Sequence, residues 1–306
     1  MAESVFNQPH FQDEEAARSY LEGLRWANGI VCPHCGVINK FYKLTGTAHR
    51  PGLYKCAECR EQFSVTVGTV FESSKIKLHI WLQACHLMSA SKKGVSAKQL
   101  ERMLGVSYKT AWFMAHRIRE AMTATPAAPM GGDAGMVEVD ETYWGNVGKQ
   151  RPGARGGDHK MKIVSLVDRQ SGEKRSVHVA DVTGDTLKPV LKKHVDSQAT
   201  LMTDEAAVYK KIAPEFAGHE SVNHSRDEYV NRIRPWIHSN TVESSFALLK
   251  RGLHGTFHSV SEQHLQRYCV EFDFRWNHRV KLGVNDVQRT AAILRGIEGK
   301  RLTYRA

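Results

Sequence analysis

Long apolar runs, a secretory leader and blocks of like charge are all missing from this sequence. No stretch approaches the ~20 apolar residues that a membrane-crossing helix needs, and Met1 to His10 lack the basic start and apolar centre of a leader peptide, so a cytoplasmic protein is expected. The 43 Lys+Arg outnumber the 32 Asp+Glu, for a formal net charge of +11, yet the excess is spread along the chain rather than packed into one tail. That distribution points to a polyanionic partner, with nucleic acid the leading class. At 306 residues and 41% hydrophobic content the chain is long and apolar enough for roughly two or three compact units, which excludes a disordered tail.

Cysteine is also scarce, but four of the six fall in a pattern. Cys32-Pro-His-Cys35 and Cys56-Ala-Glu-Cys59 are two C-x-x-C knuckles separated by twenty residues, the spacing of a four-thiolate zinc ribbon. Gly36 relieves the first tight turn, and Lys55-Cys56 and Gln62-Phe63 supply short strands. Redox or disulfide pairs are the competing reading, disfavoured in a reducing cytosol. Cys85 and Cys269 sit inside apolar helical patterns and read as packing.

In chain order, Asp13 caps a first helix ahead of the ribbon, and residues 77–88 are helical by period. Ser96 then caps 97–104, Gly105-Val106 turns the chain, and Ser107 caps 108–119. Helix, tight glycine turn, helix is a helix-turn-helix unit, competing with a plain packing hairpin. In such a unit Ser107, Tyr108, Lys109 and Thr110 face phosphates or base edges at the start of the second helix, and Arg117 and Arg119 follow the backbone. Residues 123–135, rich in Pro, Gly and Ala, read as a linker. The expected organisation is a helix and zinc ribbon (1–75), the helix-turn-helix (76–123), a linker (124–135) and a catalytic body (136–306).

The body alternates. Strands end at Asp140, run over 162–168 and 175–180, and are followed by a helix over 186–195, a strand to Asp204, a helix over 205–212, a short strand near 220–223 and a helix over 236–252. Three strands, helix, strand, helix, strand, helix is the order of the α/β ribonuclease-H-like fold. On the last helix Asn240, Glu243 and Lys250 share one arc, while Val242, Phe246 and Leu249 form an apolar arc. Three acids from three elements, Asp140, Asp204 and Glu243, can therefore converge. Phosphodiester chemistry at neutral pH is helped by two divalent ions about 4 Å apart, and Mg²⁺ prefers a few hard oxygens. Asp140 can bridge both ions, with Asp204 and the helix acid each completing one shell. Spacing alone stops at a metal-dependent enzyme of nucleic-acid phosphoryl transfer.

The residues also carry a resemblance. Cys32, Cys35, Cys56 and Cys59, the run Val139-Asp140-Glu-Thr-Tyr-Trp-Gly145, Thr203-Asp204-Glu205, His238 to Arg251, and Arg267 to Asn277 resemble the DDE-type transposases of bacterial insertion sequences, specifically the zinc-ribbon group of insertion sequence 1595, also called ISXO2-like. The resemblance covers nearly the whole chain. It implies binding of double-stranded DNA at the element's terminal repeats, nicking at the ends and attack of the freed 3' hydroxyls on target DNA. It further implies two Mg²⁺ ions, for which Mn²⁺ can substitute, a structural Zn²⁺, a homodimer or higher oligomer on DNA, and a nucleoid-associated location. For the third ligand two positions stay open. A carboxylate suits Mg²⁺ better than an amide, and Glu243 with Lys250 has the E-x6-K spacing of related enzymes, whereas members of this group are often described by Asp, Asp, Asn and Lys, which places Asn240 at the metal.

Arg226, Arg232, Arg234, Lys250 and Arg251 read as phosphate contacts, whereas Lys149, Arg151 and Arg155 in the glycine-rich loop 145–157 fit a phosphate-contacting loop and a merely solvated one equally well. Trp144 and Trp236 read as core or DNA-stacking residues. The sixteen histidines include His224, His238, His254, His258 and His264 around the last helix, but none has tight metal-ligand spacing. Two rival functions remain, a DNA-binding regulator derived from a transposase and a structure-specific nuclease.

Overall fold

The computed structural model describes residues 3–124, 128–149, 157–222, 230 and 233–303. Arg151, Arg155, His224, Arg226 and Arg232 lie outside them. The chain divides into two compact units, Met1–Thr123 with Gly283–Ala306, and Ala124–Leu282.

In the first unit, helix α1 (Glu14–Arg25) starts where the Asp13 carboxylate accepts the Ala16 N–H at 2.8 Å. A three-stranded antiparallel ribbon follows, β1 (Phe41–Leu44), β2 (Leu53–Cys56) and β3 (Gln62–Phe63). Tyr54 and Phe63 stack at 5.6 Å and Trp26 meets both edge-on, so a small aromatic core lies beneath the ribbon. The knuckles match each other locally. The residue after each second cysteine is left-handed, Gly36 at φ +77° and Arg60 at φ +65°, a conformation that costs glycine little and arginine more.

The four thiols lie within 4.8 Å of one another, with Sγ–Sγ distances of 3.7 Å for Cys32–Cys59 and 3.6 Å for Cys35–Cys56. A disulfide needs about 2.0 Å, whereas thiolates about 2.3 Å from one tetrahedral zinc stand about 3.8 Å apart. The set therefore fits zinc. Burial pulls the Cys56 thiol up, but N–H groups of Cys59 and Glu58 and the neighbouring thiols outweigh it and bring Cys56 down to about 7.

Helices α2 (Leu78–Ala90), α3 (Ala97–Leu104) and α4 (Tyr108–Met122) complete the N-terminal run. Ser96 and Ser107 cap α3 and α4 through their side chains, and Gly105 ends α3 at φ +64°, so this tight turn forms as the sequence dictates. The C-terminal helix α9 (Asp286–Arg295) packs against α2, which corrects the expected 136–306 body. The reason is a buried polar seam. Thr290 Oγ1 lies 2.9 Å from His86 Nδ1 and 2.8 Å from Ser89 Oγ, while Arg289 Nε donates to the Ser89 carbonyl.

The second unit holds a five-stranded sheet in the order β6-β5-β4-β7-β8: β4 (Met136–Trp144), β5 (Met161–Asp168), β6 (Lys174–Val179), β7 (Thr200–Thr203) and β8 (Gly218–Ser221). The first three strands are antiparallel hairpin neighbours. β7 and β8 run parallel to β4, and each is reached through a helix, α5 (Gly184–His194) and then α6 (Ala207–Ile212). The expected linker is shorter than its composition implied, because Met130 is buried in the core and exchanges backbone hydrogen bonds with His194 and Asp196.

Side chains alternate across the central strands. Val137, Val139, Val164 and Leu166 meet Leu187 and Leu191 of α5 and Tyr209 and Ile212 of α6. The opposite face, with Trp144, Met161, Ile163 and Val167, meets Val242, Phe246 and Leu249 of α7 (Asn240–Gly252) and Leu265, Cys269 and Phe272 of α8 (Glu262–Asn277). α7 begins at Asn240 rather than Trp236, after the turn that follows Pro235. Along α8, three side chains act as a surrogate strand for the edge of β6. Asn277 accepts the Lys174 N–H and donates to its carbonyl, Asp273 accepts the Ser176 N–H, and Gln266 accepts the His178 N–H and donates to the Ser176 carbonyl. This satisfies an edge that would otherwise invite pairing with another chain.

The ribbon's dependence on its ion is testable. Purified protein is expected to hold one zinc per chain by elemental analysis. Chelation should abolish hydrogen-exchange protection over residues 32–63, because so small a core cannot hold without the metal, and leave the 136–222 sheet protected. Metal-free protein with four freely titratable thiols and an intact ribbon would refute the assignment.

Candidate active site

β4 carries Glu138, Asp140, Thr142 and Trp144 on the face that α7 covers, since residues two apart share a face and Glu138 touches the helix. β7 lies beside β4 in parallel register, with Glu138 opposite Met202. Continuing that register by two residues brings Asp140 level with Asp204, just beyond the end of β7, at a strand spacing of ~4.8 Å. Asp204 turns the chain there, its carboxylate accepting the Ala206 N–H at 3.0 Å.

The third acid comes from α7, which lies against β4 at two points. At its start, the Thr241 and Val242 N–H groups both donate to Glu138 Oε2 at 2.9 Å. Near its end, in the single π-turn Leu253–Phe257, His254 meets the Trp144 ring edge-on at 4.4 Å. From Glu138 to Trp144 is ~20 Å of strand, and from Thr241 to His254 is ~20 Å of helix. Helix and strand thus run alongside each other in the same direction, Asp140 stands ~7 Å past the cap along the strand, and Glu243 stands ~3 Å past it along the helix. Asn240, at the helix's first position, is farther back and exposed, whereas Glu243 is half-buried with its Oε1 accepting from Ser239 Oγ at 2.7 Å.

Electrostatics place the three acids in one field. Burial, then the charge of Glu141, then those of Asp204 and Glu243, push the Asp140 carboxyl up to about 8. Glu141, on the other face of β4, accepts from the deeply buried Tyr209 hydroxyl at 2.7 Å and is itself raised by burial and by Asp204. It is a fourth acid that the sequence reading passed over, although it stands beside Asp140. Asp140, Asp204 and Glu243 offer hard oxygen donors, the donor chemistry that Mg²⁺ and Mn²⁺ prefer.

Glu138 was also passed over. It is wholly buried, and Arg169 Nε donates to its Oε1 at 2.7 Å. The same guanidinium donates to the carbonyls of Trp236 and His238 and to His238 Nδ1 at 2.9 Å. In the sequence Glu138 stands inside the strand that ends at Asp140, with no local signal for its partners.

Lys250 and Arg251 are exposed near the end of α7, and Arg251 Nε donates to the Ala247 carbonyl. Lys250 stands ~10 Å from Glu243 along the helix axis. Arg234 is exposed and paired with Glu220, Trp236 is 52% exposed, and Trp144 is buried. In the first unit, Ser107, Tyr108 and Lys109 are exposed at the start of α4 and Thr110 is half-buried, with Lys98 Nζ 4.9 Å over the Tyr108 ring. Arg117 and Arg119 correct the expectation of backbone contacts. Both are buried, and Arg117, 6% exposed, donates to the Glu72 carbonyl and stacks on Trp81 and Phe113.

Residues 134–277 match the ISXO2-like transposase domain, and residues 12–62 match the transposase zinc-ribbon domain. The chain is 29% identical over 280 residues to an uncharacterized protein in transposable element ISH50 of Halobacterium salinarum, covering 87% of this chain and 91% of that protein. Among solved structures it is similar to a chain in the cryo-electron-microscopy structure of a simian T-cell lymphotropic virus intasome in complex with PP2A regulatory subunit B56 gamma. That match has 12% identity and a TM-score of 0.31, spans 62% of this chain and 64% of the other, and is too slight to carry an argument. With both domains matched in the expected order and a relative from a transposable element along most of its length, the chain carries the zinc-ribbon and ISXO2-like transposase domains of the insertion sequence 1595 family.

Proposed function

We propose that this transposase cuts the ends of its insertion sequence and joins the 3' hydroxyls to target DNA, using Asp140, Asp204 and Glu243 on a ribonuclease-H-like body to hold two Mg²⁺ ions. The observation that carries the reading is the raised Asp140 carboxyl, a half-buried acid whose main charged neighbours are three other acids, Glu141, Asp204 and Glu243. Such a group favours either a proton or a divalent cation. The sheet order, with three antiparallel strands and two parallel ones reached through helices, supports the ribonuclease-H-like assignment. When bound, the ions activate the attacking oxygen and neutralise the leaving one. The chain's own part is positional. Asp140 would hold both ions, with Asp204 contributing from the neighbouring strand and Glu243, held by Ser239, from the helix. Asn240 orients a phosphate or water, and Lys250 and Arg251 grip DNA backbone beyond the acids. Ser107, Tyr108, Lys109 and Thr110, at the start of the second helix of a helix-turn-helix, meet the terminal repeat.

The electrostatic claim has a defined sign. An acid raised from 3.8 to about 8 holds a proton in the folded state that the unfolded chain has released, so its contribution to stability falls as pH rises between those values and levels off above about 8. In Mg²⁺-free buffer Asp140→Asn is expected to raise Tm relative to the parent at pH 8 and to leave it unchanged near pH 4. A variant no more stable than the parent at pH 8 would count against a repulsive site.

Cleavage separates the two candidate ligands. Losing an ion's support removes several kcal/mol of transition-state stabilisation, a fall on the order of 10²–10³-fold. Glu243→Gln is expected to show that fall with Mg²⁺, and Asn240→Ala a smaller one, with DNA binding intact in both. Near-normal cleavage by the Glu243 variant beside a dead Asn240 variant would reverse the roles. Products distinguish the rival functions, since a nuclease cuts without joining and a regulator does neither.

For the DNA reader, Lys109→Ala and Thr110→Ala are expected to weaken binding to terminal-repeat DNA by ~1–3 kcal/mol per lost base contact, with little effect on unrelated DNA. Equal losses on both DNAs would mean phosphate contacts alone. Unchanged binding would remove α4 as the reader.

A further inference from the structure

We infer that Glu138, Arg169 and Ser239 are positioning residues that set the α7 acid against β4 and so determine the affinity of the site for divalent cations; this rests on the metal-dependent reading above. A helix start leaves N–H groups without partners, and the N-cap side chain normally serves them. Ser239 stands at that position in α7 but makes no such cap. Its hydroxyl donates instead to Glu243 Oε1 at 2.7 Å. The cap is supplied from another element, because Glu138 Oε2 takes the Thr241 and Val242 N–H groups, each at 2.9 Å. Two functions usually opposed in one serine are thereby divided. The strand caps the helix, and the serine is released to orient the acid.

Arg169 completes the device. Its Nε donates to Glu138 Oε1 at 2.7 Å, and its terminal nitrogens donate to the His238 carbonyl at 2.6 Å and to the Trp236 carbonyl, on the short segment that leads the chain into Ser239. Glu138 and Asp140 project from the same face of β4, two residues apart. A strand that carries Asp140 therefore also dictates where the first turn of α7 sits, and with it the carboxylate of Glu243. Arg169 also keeps Glu138 from serving as a further cation ligand, since its two oxygens are spent on the guanidinium and the helix start.

Direct binding of Mn²⁺, read from the loss of the free-ion electron paramagnetic resonance signal in zinc-replete protein, tests this without relying on turnover. Glu138→Gln keeps an oxygen for the helix cap but loses the charge that engages Arg169, and Ser239→Ala removes the hydroxyl while leaving the cap untouched. Both are expected to raise the Mn²⁺ dissociation constant ~10–100-fold, the usual effect of losing a group that orients a ligand, with zinc content, Tm and DNA binding close to the parent for Ser239→Ala. Ser239→Thr, which keeps the hydroxyl, should restore affinity. A purely structural role would lower Tm and leave the dissociation constant alone, and parent-like Mn²⁺ binding by Ser239→Ala overturns the inference even if Glu138→Gln fails to fold. Asp140→Asn is the control. If it binds Mn²⁺ as the parent does, the metal-dependent reading itself falls and this inference with it, whereas loss of binding in Asp140→Asn beside normal binding in the positioning variants overturns the inference alone.

Discussion

A carboxylate buried on a central strand is stable only where positive charge meets it. Glu138, with no exposed surface, has two such partners, the Arg169 guanidinium and the N-terminal N–H groups of α7. The helix start carries a partial positive charge, so the pairing satisfies both elements at once. Removing either partner would strand the other, because an isolated buried charge costs several kcal/mol. The rest of the unit depends on this contact, since α7 covers the apolar residues Trp144, Met161 and Ile163 and presents its polar stripe beside the strand ends.

Two residues farther along the same strand face, Asp140 has the opposite surroundings. Glu138 is satisfied by opposite charge, while Asp140 is pushed up by burial and by Glu141, Asp204 and Glu243. Two acids on one strand face are thus set apart by what stands opposite each.

Much of this was legible in the sequence where the signal is local. Asp13, Ser96 and Ser107 cap their helices as their positions imply, because a cap is decided within about four residues. The two knuckles and Gly36 behave likewise, and the order of strands and helices in the body follows from periods of two and 3.6 residues. What was not legible depends on long-range partners. Arg117 lies on a helix whose period places it on a buried face only once α2 packs there with Trp81, so spacing alone made it look like a phosphate contact. β1 was invisible because Phe41-Tyr-Lys-Leu44 becomes a strand only by pairing with β2. α9 joins the N-terminal unit through Thr290 and Arg289, whose partners lie some 200 residues away in sequence. Glu138 was missed for a related reason, since Met136-Val-Glu-Val-Asp140 shows an acid in an alternating strand but not that a helix a hundred residues later will sit on it.

The match in length between β4 and α7 explains why the acid must lie where it does on the helix. With the helix start held by Glu138 and the π-turn held at Trp144, α7 can neither slide along the strand nor rotate without breaking one contact. A residue inserted between Thr241 and His254 would turn everything beyond it by ~100° and advance it by ~1.5 Å, moving either the Val242, Phe246 and Leu249 stripe off the sheet or His254 off Trp144. The π-turn at Leu253–Phe257 widens the helix at its far end, where buried Leu253 continues the apolar stripe, and leaves the acid-bearing first turn undisturbed. The Glu243-bearing end of α7 is therefore kept in strict register with β4, and the π-turn lies at the opposite end.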